Sequence, residues 1–518
     1  MASIERLASA MRLLESGCWQ QAEAAAQAAL SADRGDPHAA LLMGLAIAAM
    51  GEADRAAPVL AAVAAARPDA DHPCLDLAAL KPALPRALVA RQFRACRVLS
   101  PSDNRLRRAF AAFLLDADDP EAAEAVLADM PGDAAAHHLK GMARAEQNRF
   151  ASAISSFKIA VALNPAAAAS WSNLGIVLKV EGQFEKAIAA HDHAVALSPD
   201  DPQFRVNRAV ALLHVGAWER AWLDYEYRMD LPQARPFDRS RLMPSLSAGD
   251  SLTGRTILAL HEDGFGDTLQ FLRYLPRLAD LGASVIACVP PVLARVMRLV
   301  PGVAEVVTDA GRLPPHDFVC PMFSLPRVFG TTVESIPPVP NLAFDAPRRT
   351  TTRRPRVGLV WAGQARPTLP GFRALDRRRS AGLAAFQPLA AVSGVTFVSL
   401  QAGPAARQPA PPGLVLEDAM AGVTDFADTA AIIAALDAVV SVDTSVVHLA
   451  GLLGKPVLLL DRYDGCWRWL HGRTDSPWYP RLRIFRQDDP GDWSGPMARV
   501  AAALDARTMF PAFDAAPA

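Results

Sequence analysis

The chain has 518 residues, enough for about three domains of ordinary size, each with its own core. Its 53 Lys and Arg against 54 Asp and Glu leave a net charge of −1, so no electrostatic binding of nucleic acid is expected. Cys18, Cys74, Cys96, Cys288, Cys320 and Cys466 are far apart with no Cys-x-x-Cys pair, which argues against a zinc ribbon or a disulfide scaffold and suits a reducing, cytoplasmic setting.

The first six residues lack the charged region and apolar core of a signal peptide, and the best apolar run, 39–50, is too short for a transmembrane segment. Residues 1–230 are rich in Ala and Leu at helical spacing, and Pro68, Pro101, Pro131, Pro165 and Pro199 recur 30 to 34 residues apart. Small residues keep fixed offsets within this period: Gly141, Ala153, Phe157, Ala160 and Pro165, then Trp171, Leu174, Gly175, Ala187, Ala194 and Pro199. A unit with Gly44, Ala56 and Pro68 fits as well. A period of ~34 with this pattern is that of tetratricopeptide repeats, helix pairs that stack on their neighbours into an α-solenoid. Between Pro68 and Pro131 the pattern is interrupted by Pro73, Pro82 and Pro85, and irregular helices are expected. The stretch 204–227 reads as a partial last repeat, with Trp218, Trp222, Tyr225 and Tyr227 closing the solenoid against the next domain.

A polar, proline-containing linker is expected over 231–254, containing Pro232 and Pro236. Strands and helices then alternate. Residues 257–260, 284–289, 305–308 and 318–321 read as short buried strands of a parallel, doubly wound sheet, a first Rossmann-like half over 255–347. After its first strand comes His261-Glu-Asp-Gly-Phe-Gly-Asp267, then an amphipathic stretch, 272–281. Gly264 and Gly266 permit tight turning and close approach of a ligand, and Asp267 falls at the helix start, either as an N-cap or as a base facing the crevice.

The charged segment 348–355 reads as a solvated hinge to a second Rossmann-like half over 353–508, with strands at 357–361, 396–400, 438–442 and 457–460 and a tail, 509–518. Within it, the apolar run 438–442 leads into Asp443-Thr444-Ser445, whose side chains suit an N-cap, and Gly454 with Pro456 closes a helix of about two to three turns. The free N–H groups and positive dipole end of such a helix bind phosphate, and His448 on its first turn adds a hydrogen bond or a positive charge. Two facing halves of this kind leave both glycine-loop units looking into one crevice. No His, Cys and carboxylate cluster has metal-ligand spacing, so no metal is expected.

Six motifs occur in order: Gly264-Phe-Gly-Asp-Thr-Leu-Gln-Phe271, Val357-Gly-Leu-Val-Trp-Ala-Gly363, Val398-Ser-Leu-Gln401, Asp428-Thr-Ala-Ala431, the 443–454 segment, and Asp475-Ser-Pro-Trp-Tyr-Pro480. Their combination, over roughly the last half of the chain, resembles bacterial tetratricopeptide-repeat glycosyltransferases whose catalytic part is similar to heptosyltransferases and, more distantly, to O-GlcNAc transferase. The resemblance implies an inverting, metal-independent transfer from a nucleotide-sugar donor to a protein acceptor held by the repeats. It also implies that the α-solenoid is followed by an α/β GT-B fold, in which the first Rossmann-like half faces the acceptor and the second the donor.

By the same resemblance, Asp267 is the general base, Thr444, Ser445 and His448 form the leaving-group site, and Arg378 and Arg379 lie near the phosphates. Gly264, Gly266, Gly363, Gln401 and Asp443 complete the implied donor site. The most specific implication is flagellin carrying a sialic-acid-like sugar from a cytidine-monophosphate donor. Transfer of a hexose, heptose or N-acetylglucosamine to another protein or a surface polysaccharide is the alternative, with a non-catalytic adaptor as the rival class. Two stretches depart from the family pattern: the Pro- and Arg-rich piece 365–374, and Asp461-Arg-Tyr-Asp464 in place of a more apolar stretch.

Overall fold

The computed structural model describes residues 2–52, 103–232, 237–342, 354–364 and 370–506, with 55, 56, 58, 59, 62, 234 and 344 between them. Pro68, Pro73, Pro82, Pro85, Pro101, Pro236, Cys74, Cys96, most of the hinge, 365–369 and the tail lie outside the described residues. The chain packs as two compact units, Met1–Val177 and Leu178–Ala518.

The first unit is helical: α1 (Ala2–Glu15), α2 (Trp19–Ala32), α3 (Pro37–Ala49), α4 (Asn104–Asp116), α5 (Pro120–Val126), α6 (Ala134–Glu146), α7 (Phe150–Leu163) and most of α8 (Ala168–Val180). Asp103, Asp119 and Asp133 cap α4, α5 and α6 by accepting first-turn N–H groups. The small-residue offsets have a direct steric meaning. A Cβ on Gly141 would stand 2.6 Å from the Phe157 ring, so only glycine lets α6 and α7 close on that aromatic.

The second unit opens with α9 (Phe184–Leu197), α10 (Pro202–His214) and α11 (Trp218–Tyr225). By periodicity these helices continue the repeats, and by packing they belong to the α/β body. Trp218 stacks on Trp478 with ring centroids 5.3 Å apart, and the Trp222 indole donates to the Thr331 carbonyl at 2.9 Å. Both are buried in the core that holds the sheet residues and Tyr225 packs against it, so three of the four expected aromatics close onto the α/β body, while Tyr227 lies under Arg205.

Two parallel sheets follow. In the first, β1 (Thr256–Leu260), β2 (Ser284–Cys288), β3 (Val303–Val307) and β4 (Phe318–Pro321) lie in the order β3-β2-β1-β4. In the second, β5 (Arg356–Val360), β6 (Thr396–Ser399), β7 (Leu416–Asp418), β8 (Ala438–Val442), β9 (Val457–Asp461) and β10 (Leu482–Arg486) lie in the order β10-β9-β8-β5-β6-β7. These are the two Rossmann-like halves of the GT-B architecture. Strand order reverses beside β1 and between β5 and β8, which is where open sheets of this type bind ligands. Strands β7 and β10 were not legible in sequence: β7 is a three-residue edge strand, and β10 carries Arg483 and Arg486 within an apolar run.

Candidate active site at two facing helix starts

Helix α12 (Phe265–Phe271) begins inside the glycine loop, with Asp267 in its first turn, at the third position and not at the N-cap. The reason is local. Gly264 is the N-cap, and its N–H donates to Asp267 Oδ2 at 3.0 Å, while the Asp267 N–H donates to the Gly264 carbonyl at 3.2 Å. This reciprocal pairing outweighs the low helix propensity of Gly266.

From the other half, α18 (Ser445–Leu452) follows β8 with Thr444 at the N-cap. The Thr444 side chain makes no capping bond; its hydroxyl pairs with Ser441 Oγ at 3.1 Å. The helix start is therefore left without a side-chain cap and keeps its positive dipole end available to an anion.

The two helices meet at Gly266. A Cβ there would sit 2.8 Å from His448 Cδ2 and 3.3 Å from Ser445 Cα, so the missing side chain lets the starts of α12 and α18 touch. Gly266 thus acts in helix packing at the place where a ligand contact was expected. Gly264, Gly266, Asp267, Thr444, Ser445 and His448 are brought to one location, and Asp443 lies close enough for its charge to act on Asp267 and Arg468.

Asp267 is largely enclosed. Its Oδ1 pairs with the Arg468 guanidinium, which also donates to Gln270 Oε1 at 2.7 Å and lies over the Trp467 ring at 4.4 Å. Burial pushes the Asp267 carboxyl up to about 6, with Asp263 adding and Arg468 opposing. His448 is buried, accepts or donates at Nδ1 to the Tyr479 hydroxyl at 3.0 Å, and stacks on Trp469. Burial, with Arg468 and Arg273 nearby, holds His448 well below the usual range, so it is neutral and contributes hydrogen bonding rather than charge.

The remaining expected residues gather beyond β5 and β6. A Cβ on Gly363 would fall 2.6 Å from the Arg379 guanidinium, so this glycine makes room for the arginine, which also donates to Asp376 at 2.9 Å. Gln401 is a latch: its Oε1 accepts from the Trp361 and Ala362 N–H groups at 3.0 and 2.9 Å, and its amide donates to the Ala362 and Ala402 carbonyls. It fixes the loop after β5 and has its hydrogen-bonding capacity committed to backbone. Arg378, in the last turn of α16 (Pro370–Arg379), pairs with Asp464 at 3.3 Å.

Arg468, Tyr479, Arg462 and Asp464 were missed as site residues. Tyr479 lies in the motif 475–480, and Arg468 stands between two tryptophans, a pattern that sequence alone reads as core. Among the described residues, no group of three or more His, Cys, Asp and Glu could hold a metal ion, and no helix is long and apolar enough to cross a membrane.

Residues 138–202 and 173–238 match tetratricopeptide repeats, and 405–486 match glycosyltransferase family 9 (heptosyltransferase). Protein FlbA of Caulobacter vibrioides is 27% identical over 320 residues, covering 55% of this chain and 52% of that protein, so the chain spans about half the length of this curated relative. Among solved structures, a Thermobaculum terrenum O-GlcNAc transferase is 15% identical, with a TM-score of 0.28 over 78% of this chain and 91% of that one. MamA is 19% identical, with a TM-score of 0.26 over 28% and 87%.

Proposed function

We propose that this chain, which joins tetratricopeptide repeats to a glycosyltransferase family 9 region, transfers a sugar from a nucleotide-sugar donor to a protein acceptor engaged by the repeats. The observation that carries this reading is the meeting at Gly266 of an uncapped helix start from the donor half and an enclosed carboxylate, Asp267, from the acceptor half. In the proposed reaction an acceptor hydroxyl gives its proton to Asp267 as its oxygen bonds to the anomeric carbon. The bond from that carbon to the donor phosphate breaks, and the charge passing to the phosphate is met by the N–H groups at the start of α18 and by the nearby arginines. Attack opposite the leaving group inverts the anomeric centre. The helix start and the basic side chains take the part a divalent cation plays elsewhere, so the proposed enzyme needs no metal.

His448 fits the leaving-group side as a neutral donor: with the Tyr479 hydroxyl donating to Nδ1, the ring proton sits on Nε2. Flagellin as acceptor and a cytidine-monophosphate-activated, sialic-acid-like sugar as donor are the specific form of the proposal. Co-expression of the full chain with flagellin and a sugar-nucleotide pathway, read by intact mass, tests it. A sugar-sized mass increase lost in Asp267→Asn is the expected result. No mass increase on flagellin with any of the cytidine, uridine or guanosine sugar donors would reject the flagellin assignment, and failure of those nucleotides to bind would reject the transferase reading.

A further inference from the structure

The stretch Asp461-Arg-Tyr-Asp464 builds a buried charge cluster at the carboxyl end of β9. Asp461 pairs with Arg486 at 2.8 Å. Arg462 Nε donates to Asp464 Oδ1 at 2.7 Å and its Nη2 to the Gly465 carbonyl at 2.7 Å. The other Asp464 oxygen takes Arg378 Nη2 at 3.3 Å, while Arg378 Nε is buried with no hydrogen-bond partner. Lys179, in the last turn of α8, lies within electrostatic reach of Asp464, Arg462 and Arg378.

Three cations therefore converge on one carboxylate. Asp443 and Asp461 also act on Arg462, and counting both, together with the Arg486 that pairs with Asp461, still leaves one positive charge in excess. On the repeat side Glu181 bonds the Tyr463 side chain, while the carboxylate among the main charges acting on Lys179 is Asp464. His191 and His214, both near Lys179, are buried; neither ring nitrogen of His191 and not Nε2 of His214 has a hydrogen-bond partner, and burial keeps both rings neutral. A buried excess of cations is costly unless an anion completes it. Arg378 and Arg462 stand beyond the carboxyl ends of β5 and β9, on either side of the uncapped start of α18, which is the edge where such sheets receive ligands.

We propose that Lys179, Arg378, Arg462 and Asp464 form an oxyanion-binding site in which the repeat helix α8 supplies one of the cations. The ligand is an anionic oxygen group of the donor, its phosphate or the carboxylate of an acidic sugar. This rests on the glycosyltransferase reading for the identity of the donor, and the anion site itself is tested independently of it. A ligand-binding residue on the repeats couples acceptor engagement to donor binding, because any shift of α8 moves Lys179.

The test titrates the full-length protein with inorganic pyrophosphate at constant ionic strength by calorimetry. Saturable binding that weakens tenfold or more in Lys179→Met and recovers in Lys179→Arg is expected. Removing a desolvated ammonium leaves the thermal midpoint of Lys179→Met no lower than wild type, which separates lost binding from unfolding; Arg378→Gln serves as a second variant with the same expected loss. Absence of pyrophosphate binding to the wild type, or equal binding in Lys179→Met and Arg378→Gln, would overturn the site. Competition then identifies the source: displacement by cytidine monophosphate or uridine diphosphate assigns phosphate, and displacement by N-acetylneuraminic acid alone assigns the sugar carboxylate. Lys179-dependent pyrophosphate binding that no nucleotide displaces keeps the anion site and removes the nucleotide-sugar reading.

Discussion

At the scale of single residues, the site turns on how its enclosure tunes two groups. Asp267 combines burial, which raises its pKa to about 6, with an arginine partner that keeps the carboxylate accessible at neutral pH. A base of this kind is ionised above about pH 6 and protonated below it. Transfer is therefore expected to be level above that value and to fall about tenfold per pH unit beneath it, in initial rates measured by product mass. Asp267→Asn keeps the size of the side chain and removes the base, with an expected loss on the order of 10²–10⁴-fold. A rate within a few fold of wild type would end the assignment. Lys179 gives a second limb: burial lowers its pKa to about 8, so its charge is present below that pH and lost above it, and anion affinity should decline as pH rises past about 8.

At the scale of elements, the two helix starts are held by contacts that leave little slack. In Gly266→Ala the added methyl would meet the His448 ring and, less yielding, the Ser445 backbone, so α12 and α18 must separate. A loss of about 1–3 kcal/mol is expected, with a fall in transfer larger than the stability change alone explains. Denaturant melts and initial rates measured together check this; an unchanged melt would show that the helices can part freely. The loop after β5 depends in the same way on Gln401. Gln401→Ala leaves two backbone N–H groups and two carbonyls without that partner, and a destabilisation of ~1–3 kcal/mol is expected.

At the scale of the whole molecule, the repeat pattern and the compact units do not share a boundary. The periodicity runs to about residue 230, and the packing division falls at Val177. A fragment starting at residue 231 loses Trp218 and Trp222, which are 1% and 2% exposed in the intact chain, and uncovers Trp467, Trp478 and the Thr331 carbonyl. It is expected to aggregate or to melt without cooperativity. A fragment starting at Ala168 keeps these contacts and should melt cooperatively. Circular dichroism melts with size-exclusion chromatography distinguish the two, and equal cooperativity would mean that the helices of 184–225 are dispensable to the α/β body.

Local signals were enough for the repeats, for eight of the strands, with β4 and β8 placed to the residue, and for the two helix starts. Glycine offsets, apolar runs and capping residues act within a few positions of one another, so a sequence displays them directly. Tertiary structure decided the rest. Arg468 reaches Asp267 across 201 residues, Gln401 meets the loop after β5 across 39 and 40, and Lys179 joins Asp464 from a helix that the repeat pattern assigns elsewhere. Such pairings depend on how the two sheets and the last repeats pack. Burial then settles the charge of His448 and Asp267, because desolvation is a property of the surroundings and leaves no mark at the residue itself.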